Sequence, residues 1–159
     1  MNNDTNFEIE YVNSDITEVY SGLTIHGVNC QGAFGSGVAG AIRRKFPEVY
    51  EAFKNSPTGN QMLGEFIPVN VDEYPNLIIG NCYTQEYYGS DGKVYASLEA
   101  IRESLTKAFL YATLNDIYSV NMPKIGAGLG GLSWNDVEEI IKDVYSNFSK
   151  NFKLRIYYI

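Results

Sequence analysis

Short apolar segments and longer amphipathic segments alternate along the chain. Period-2 alternation or a continuous apolar run predicts β-strands in six places. The predicted strands are Phe7–Val12, Leu23–Val28, Gly64–Asn70, Leu77–Tyr83, Ile117–Pro123 and Phe152–Tyr158. The fourth of these is almost wholly apolar, which is typical of a strand that is buried on both faces.

Apolar side chains recur at helical spacing between several of these strands. They predict helices over Ser36–Phe46 and Ala96–Leu114, and a third helix that begins after Ser133 as its N-cap. Pro47 either breaks the first helix or starts a continuation through Glu48–Lys54, because its ring excludes the preceding backbone hydrogen bond. The alternation of strands and helices predicts the α/β class with a central mixed sheet.

Length and composition agree with one folded domain over residues 1–159, since 45% of the residues are hydrophobic and 19% are charged. A net charge of −7 argues against nucleic acid as a partner, because a nucleic-acid backbone requires a basic face. The N-terminus lacks a basic and then apolar signal segment, and no apolar run is long enough to cross a membrane. We therefore expect a cytoplasmic protein with no membrane partner.

Histidine and cysteine are scarce, which limits the chemistry that the chain can perform. The only histidine is His26, and the two cysteines are Cys30 and Cys82. Their spacing does not suit a zinc site, and two separated cysteines do not form a disulfide framework. We expect neither a metal nor another cofactor.

Eight of the 15 glycines lie in two windows, and each window falls between a predicted strand and a predicted helix. The first holds Gly32, Gly35, Gly37 and Gly40, and the second holds Gly126, Gly128, Gly130 and Gly131. Glycine-rich turns that lead into helix N-termini offer backbone N–H groups to phosphate. Two such turns at one end of a sheet favour a diphosphate-sized anion over a pair of tight turns without a ligand. Neither window matches a Walker P-loop or a Rossmann fingerprint.

Four segments together resemble the macrodomain family, whose members bind ADP-ribose. The matching segments are Asn13–Thr17, Ile25–Asn29, Gly35–Ile42 and Pro123–Trp134, which resemble the family's G-D-I-T, I-V-N-A-A-N, G-G-G-V-A-x-A-I and second phosphate-loop motifs. The resemblance covers nearly the whole chain and implies a three-layer α/β/α sandwich with ADP-ribose or ADP-ribose-1″-phosphate as its small-molecule ligand. We expect the protein to act as a monomer.

The form of the second loop resembles one branch of the family. That branch contains the yeast-type ADP-ribose-1″-phosphate phosphatase, the terminal ADP-ribose protein glycohydrolase and the DNA-ADP-ribosyl glycohydrolase antitoxins. Glycohydrolases that work through a lysine carry it after the strand that matches Leu77–Tyr83, where this chain has Thr84, Gln85 and Glu86. Gly130 stands where the protein glycohydrolase has an aspartate. The His26–Cys30 segment looks most like the phosphatase pattern.

Three residues are candidates for catalysis, His26 and Asn29 at the end of a predicted strand and Asp91 in the loop after the next buried strand. His26 would be the general acid or base of phosphomonoester hydrolysis, and its ordinary pKa of about 6.5 suits proton transfer near neutral pH. Asn29 would hold the distal ribose or orient the phosphate, although it is also a candidate cap for the loop backbone. Asp91 would assist as a second acid or base. A lone histidine is more often structural, and a phosphohistidine intermediate stays open.

The resemblance also implies the residues that bind the ligand. Asp15, followed by Ile16, would accept a hydrogen bond from the adenine amino group, although a turn aspartate is the alternative. Tyr157 or Tyr158 is a candidate for stacking on adenine, and Tyr88 for the rim of the distal site. The distal ribose and phosphates would contact the remaining set. This set comprises Gly35, Ser36, Gly37, Val38, Thr84, Ile125, Gly126, Ala127, Gly128, Leu129 and Gly130.

The favoured hypothesis is an ADP-ribose-1″-phosphate phosphatase that releases ADP-ribose and inorganic phosphate. One alternative is a lysine-independent hydrolase that removes ADP-ribose from protein or nucleic acid. The other alternative is a non-catalytic module that binds ADP-ribose.

Overall fold

Six strands and four helices make up the regular structure. A computed structural model describes residues 8–35, 37–87 and 93–159, except for the side chain of Leu129. The strands are β1 (Glu10–Asn13), β2 (Gly22–Asn29), β3 (Phe66–Asn70), β4 (Leu77–Gln85), β5 (Ser119–Pro123) and β6 (Lys153–Tyr158). The helices are α1 (Gly37–Lys45), α2 (Pro47–Lys54), α3 (Leu98–Leu114) and α4 (Trp134–Ser146).

The strands form one mixed sheet in the order β1-β6-β5-β2-β4-β3. Neighbouring strands pair in parallel except β3, which lies antiparallel to β4 at the edge. The sequence prediction of an α/β fold with a mixed sheet is therefore confirmed. Because five strands run in the same direction, their carboxyl ends share one edge of the sheet, where ligands bind in such folds.

Helices pack on both faces of the sheet. One face packs on α3 and α4 through side chains such as Leu105 and Ile141, and the other packs on α1 and α2 through Ile42 and Phe53. The central strands are buried on both faces, as the apolar run of β4 predicts. This three-layer arrangement leaves the carboxyl edge of the sheet open to a ligand.

The predicted element bounds differ from the observed ones by small amounts that have local causes. Pro47 starts a separate helix with Phe46 as its N-cap, because proline fits the first turn, where its missing N–H has no partner to lose. Ser133 is the N-cap of α4, but its side chain makes no capping hydrogen bond. Phe7, the first residue of the predicted first strand, lies outside the described residues. No helix within the described ranges has the length and apolar character needed to span a membrane.

Candidate functional site

A cleft of about 820 Å³ opens at the carboxyl ends of the strands. Its volume lies in the usual range for sites that bind small molecules, about 300–1,000 Å³. The lining comes from the ends of β2, β4, β5 and β6 and from the two glycine-rich segments. It comprises Gly27, Val28, Asn29, Ala33, Phe34, Gly35, Gly37, Val38, Ala39, Thr84, Gln85, Pro123, Lys124, Ile125, Gly126, Ala127, Gly128, Gly130, Tyr157 and Tyr158.

Asn29 organises the first loop, residues 30–36. Its Oδ1 accepts hydrogen bonds from the backbone N–H groups of Gln31 at 2.9 Å and Ala33 at 3.2 Å. Its Nδ2 donates to the Ala33 carbonyl at 2.7 Å. The side chain therefore has a capping role in this structure, and its predicted contact with the ligand stays a prediction.

The first loop leads directly into α1, which begins at Gly37. A Cβ built on Gly35 or on Gly37 would meet nothing within 4 Å, so the space beside both residues is open. Val38 also lines the cleft, while the predicted ligand contact Ser36 lies outside the described residues. The N-terminus of α1 gives this wall of the cleft a partial positive charge.

The second loop, residues 124–133, is held by backbone hydrogen bonds. Ala127 N donates to Lys124 O at 3.3 Å, Gly131 N to Gly128 O at 3.1 Å and Leu132 N to Gly126 O at 3.0 Å. The predicted contacts Ile125, Gly126, Ala127, Gly128 and Gly130 all line the cleft. Leu129 lies in the short 3₁₀ turn between Gly128 and Gly130.

His26 is a buried core residue of β2, and its side chain is only 1% exposed. Its Nε2–H donates a hydrogen bond to Asn81 Oδ1, 2.6 Å away on β4. In the neutral ring the other nitrogen, Nδ1, then carries no proton, and it has no hydrogen-bond partner among the described residues. The ring packs edge-on against Phe34 with the centroids 5.3 Å apart. Burial lowers the pKa of His26 from 6.5 to about 4, although the Asn81 hydrogen bond opposes this shift.

His26 is therefore a neutral imidazole at pH 7, and it is absent from the residues that line the cleft. The structure does not bring the predicted general acid or base to the surface of the site. It brings His26 beneath Phe34, which itself forms part of the wall.

Asp15 and Ile16 lie beside the far end of the cleft and outside its lining. Asp15 caps a short 3₁₀ turn, since its Oδ1 accepts from Thr17 N at 2.9 Å and from Thr17 Oγ1 at 2.8 Å. These hydrogen bonds lower the pKa of Asp15. Ser14 N donates to Tyr158 O at 2.9 Å, so the turn adjoins the tyrosine that closes this end. The contact of Asp15 with adenine stays a prediction.

The other end of the cleft is built from the carboxyl end of β4. Thr84 is buried, and Gln85 Nε2 donates to the Tyr87 carbonyl at 2.7 Å. Residues 95 and 96 join this end to the second loop, because both of their N–H groups donate to Gly130 O. The predicted residues Tyr88 and Asp91 lie outside the described residues.

Several residues of the lining were not among the predicted site residues, and Phe34 and Lys124 are two of them. Phe34 packs on His26, and Lys124 extends beside the aromatic end, with its Nζ 5.6 Å from the ring centroids of Trp134 and Tyr158. The available signal for Lys124 was its place in the second phosphate-loop motif, directly after a predicted strand. Its surroundings depend on residues that are distant along the chain.

Comparison with known proteins defines the class. The Macro domain family model matches residues 25–141, and this chain belongs to the macrodomain family. Its relatives include enzymes named as hydrolases that act on ADP-ribose derivatives.

Two curated relatives and one solved structure illustrate the similarity. The ADP-ribose 1″-phosphate phosphatase of Scheffersomyces stipitis is 27% identical over 138 residues, which cover 74% of this chain and 80% of that protein. The DNA ADP-ribosyl glycohydrolase of Mycobacterium tuberculosis is 31% identical over 134 residues, which cover 82% of this chain but only 37% of that protein. The macrodomain of Mycobacterium tuberculosis DarG has the same fold, with a TM-score of 0.80 at 24% identity over 94% of this chain and 97% of that one.

Proposed function

We propose that this chain binds ADP-ribose in the cleft and hydrolyses ADP-ribose-1″-phosphate to ADP-ribose and inorganic phosphate. The observation that carries the proposal is the pair of glycine-rich loops that line one cleft at the carboxyl edge of the sheet. Backbone N–H groups of such loops hold phosphate without requiring basic side chains. A chain with a net charge of −7 is therefore compatible with an anionic ligand.

The distal end of the cleft favours phosphate chemistry over a lysine mechanism. Gln85 lines this end, and an amide does not form a Schiff base with an opened ribose. Gly130 carries no carboxylate that would assist such a step. The phosphatase of Scheffersomyces stipitis supports the same choice, because the match covers most of both chains.

Hydrolysis requires water to attack phosphorus while the bond from phosphorus to the 1″ oxygen breaks. A proton leaves the attacking water, and the departing oxygen gains one. We assign this proton transfer to Asp91, which lies outside the described residues. We assign His26 a positioning role, since its neutral ring supports Phe34 from below, and we assign Asn29 the task of holding the first loop.

The test combines calorimetry with a phosphate-release assay. We expect ADP-ribose to bind, and phosphate to be released from ADP-ribose-1″-phosphate. Asp91→Asn should lower kcat about 100-fold, in the range that acid–base groups contribute. The matched control is Asp72→Asn, an exposed residue of the β3–β4 turn, which should leave the rate unchanged.

The alternative activity is a lysine-independent ADP-ribosyl hydrolase, which the match to the mycobacterial glycohydrolase favours. Binding of ADP-ribose without phosphate release would reject the phosphatase. Release of ADP-ribose from ADP-ribosylated protein or DNA would then support this alternative. If ADP-ribose bound but neither substrate were cleaved, the result would support a non-catalytic ADP-ribose-binding module. If ADP-ribose did not bind at all, all three functions would be rejected.

A further inference from the structure

Lys124 is the one charged side chain in the described lining of the cleft. The two glycine-rich loops supply neutral N–H groups, and no Asp or Glu occurs among the lining residues that the structure describes. A single ammonium group in an otherwise neutral lining favours a ligand that carries negative charge at that position.

Lys124 lies at the end of the cleft that Tyr157 and Tyr158 form, away from its middle. Pro123 pairs with Tyr157 in the β5–β6 register, so the next residue, Lys124, lies beside Tyr158. Its Nζ lies 5.6 Å from the ring centroids of both Trp134 and Tyr158, within the range of cation–π contacts. It makes no ion pair with any residue that the structure describes, and its side chain is exposed, so the charge is available to a ligand.

The proposed orientation of ADP-ribose relates this position to one part of the ligand. With the diphosphate between the glycine-rich loops and the distal ribose near Gln85, the nucleoside lies towards Tyr157 and Tyr158. Lys124 is the first residue of the second loop and lies beside Tyr158, so in this orientation the adenosine ribose would lie next to its ammonium group.

Proteins that bind adenine dinucleotides use charge at this ribose to choose their ligand. An acidic side chain accepts a hydrogen bond from a free 2′-hydroxyl, whereas a basic side chain accommodates a 2′-phosphate. The described lining of this cleft has the basic residue and no acidic one.

We propose that Lys124 recognises a phosphate on the adenosine ribose, so that the cleft prefers ADP-ribose derivatives phosphorylated there. This inference rests on the proposed binding of ADP-ribose. It concerns the nucleoside end of the ligand, and it is independent of which bond is hydrolysed at the distal end.

The test is calorimetry with ADP-ribose and with ADP-ribose-2′-phosphate. The wild-type protein should bind the 2′-phosphate at least threefold more tightly, and the preference should shrink as salt screens the charge. Lys124→Gln should abolish the preference, because it weakens binding of the 2′-phosphate more than binding of ADP-ribose, and Lys124→Arg should retain it. The control Lys142→Gln, on the exposed side of α4, should behave like wild type.

The outcomes separate this inference from the proposed function. Equal or weaker binding of the 2′-phosphate by wild type would overturn the inference while leaving ADP-ribose binding intact. So would a preference that persists in Lys124→Gln. Failure of both ligands to bind any variant would overturn the proposed function and this inference with it.

Discussion

The loop at residues 30–36 and the loop at residues 124–133 line the same cleft, yet different bonds hold them in place. In the first loop, the side chain of Asn29 makes three hydrogen bonds to the backbone of Gln31 and Ala33. The second loop is held by hydrogen bonds between backbone groups, both within the loop and from residues 95 and 96 to Gly130 O. The first loop therefore depends on one side chain, and the second depends on backbone conformation.

The two loops also differ in how closely neighbouring atoms pack against their glycines. A Cβ on Gly35 would have open space, whereas a Cβ on Gly131 would lie 2.8 Å from Lys93 O and 2.9 Å from Val94 Cα. Within the first loop, Phe34 packs on the His26 ring beneath it. Two similar glycine-rich sequences therefore form walls of the same cleft, but different interactions stabilise them. We expect substitutions in the two loops to have different effects.

The largest expected effect is that of Gly131→Ala in the second loop. Gly131 has a φ of +82°, and the new Cβ would lie 2.8 Å from Lys93 O and 2.9 Å from Val94 Cα, so the backbone there would have to shift. The left-handed conformation costs about 1–2 kcal/mol, and overpacking adds about 1–3 kcal/mol. We expect the free energy of unfolding to fall by about 4 kcal/mol, measured by urea denaturation.

Gly128→Ala is the matched control in the same loop. Gly128 also has a positive φ, of +60°, but a Cβ there would meet nothing within 4 Å. Its expected loss is about 1–2 kcal/mol, from the backbone conformation alone. Equal losses for the two variants would show that crowding does not hold the second loop, and the comparison between the loops would fail at that point.

The next largest effect concerns the support beneath the first loop, and it appears as a dependence on pH. The pKa of His26 is about 4 in the fold and about 6.5 in the unfolded chain. As the pH falls from 6.5 to 4, the unfolded state binds the proton first, so the stability falls. One histidine with these values removes about 3 kcal/mol over this window, and it has no effect above pH 6.5.

His26→Gln tests this expectation without removing the polar group that faces Asn81. The difference in unfolding free energy between wild type and variant should shrink by about 3 kcal/mol from pH 7 to pH 4, as followed by urea denaturation at each pH. A difference that stays constant with pH would contradict the buried neutral ring. If His26 transferred protons directly, the rate of phosphate release would show an inflection near pH 4, the pKa of His26 in the fold, and the variant would lack it.

The placement of His26 shows where prediction from the sequence ends. The period-2 pattern of β2 correctly indicates a strand, and the strand-to-helix glycines indicate both loops of the cleft. In a sheet covered by helices on both faces, however, each side chain of a central strand is buried whichever way it points. The pattern therefore could not distinguish a histidine under Phe34 from one in the cleft.

The sequence could not predict contacts between residues that are distant along the chain, because these contacts depend on tertiary packing. The turn that Asp15 caps is a local feature, and the sequence offered it as an alternative. The position of Lys124 depends on Trp134 and Tyr158, which the fold brings together only after β5 and β6 have paired. Local residue patterns carry the elements and their turns, while the direction of a side chain at the cleft depends on tertiary packing.

The smallest of the three expected effects on stability is that of Asn29→Ala in the first loop. This substitution should also weaken ligand binding, because it disturbs the part of the cleft that the first loop forms. The substitution leaves the N–H groups of Gln31 and Ala33 without their acceptor, and a hydrogen bond lost in this way costs about 1–3 kcal/mol. We expect a loss of about 2 kcal/mol in urea denaturation. Calorimetry should show ADP-ribose affinity reduced about tenfold, because the loop no longer presents its amides.

Asn147→Ala is the control for Asn29→Ala. Its amide makes one long contact of 3.4 Å to the Asp143 carbonyl at an exposed helix end, so its removal should cost less than about 0.5 kcal/mol. If Asn29→Ala were as mild as this control, other bonds would have to hold the first loop. The structure offers backbone bonds at Cys30, whose N–H donates to the carbonyls of Gln85 and Glu86 and whose carbonyl accepts from Gly59 N. Both glycine-rich loops would then depend on backbone bonds, and the distinction between them would disappear.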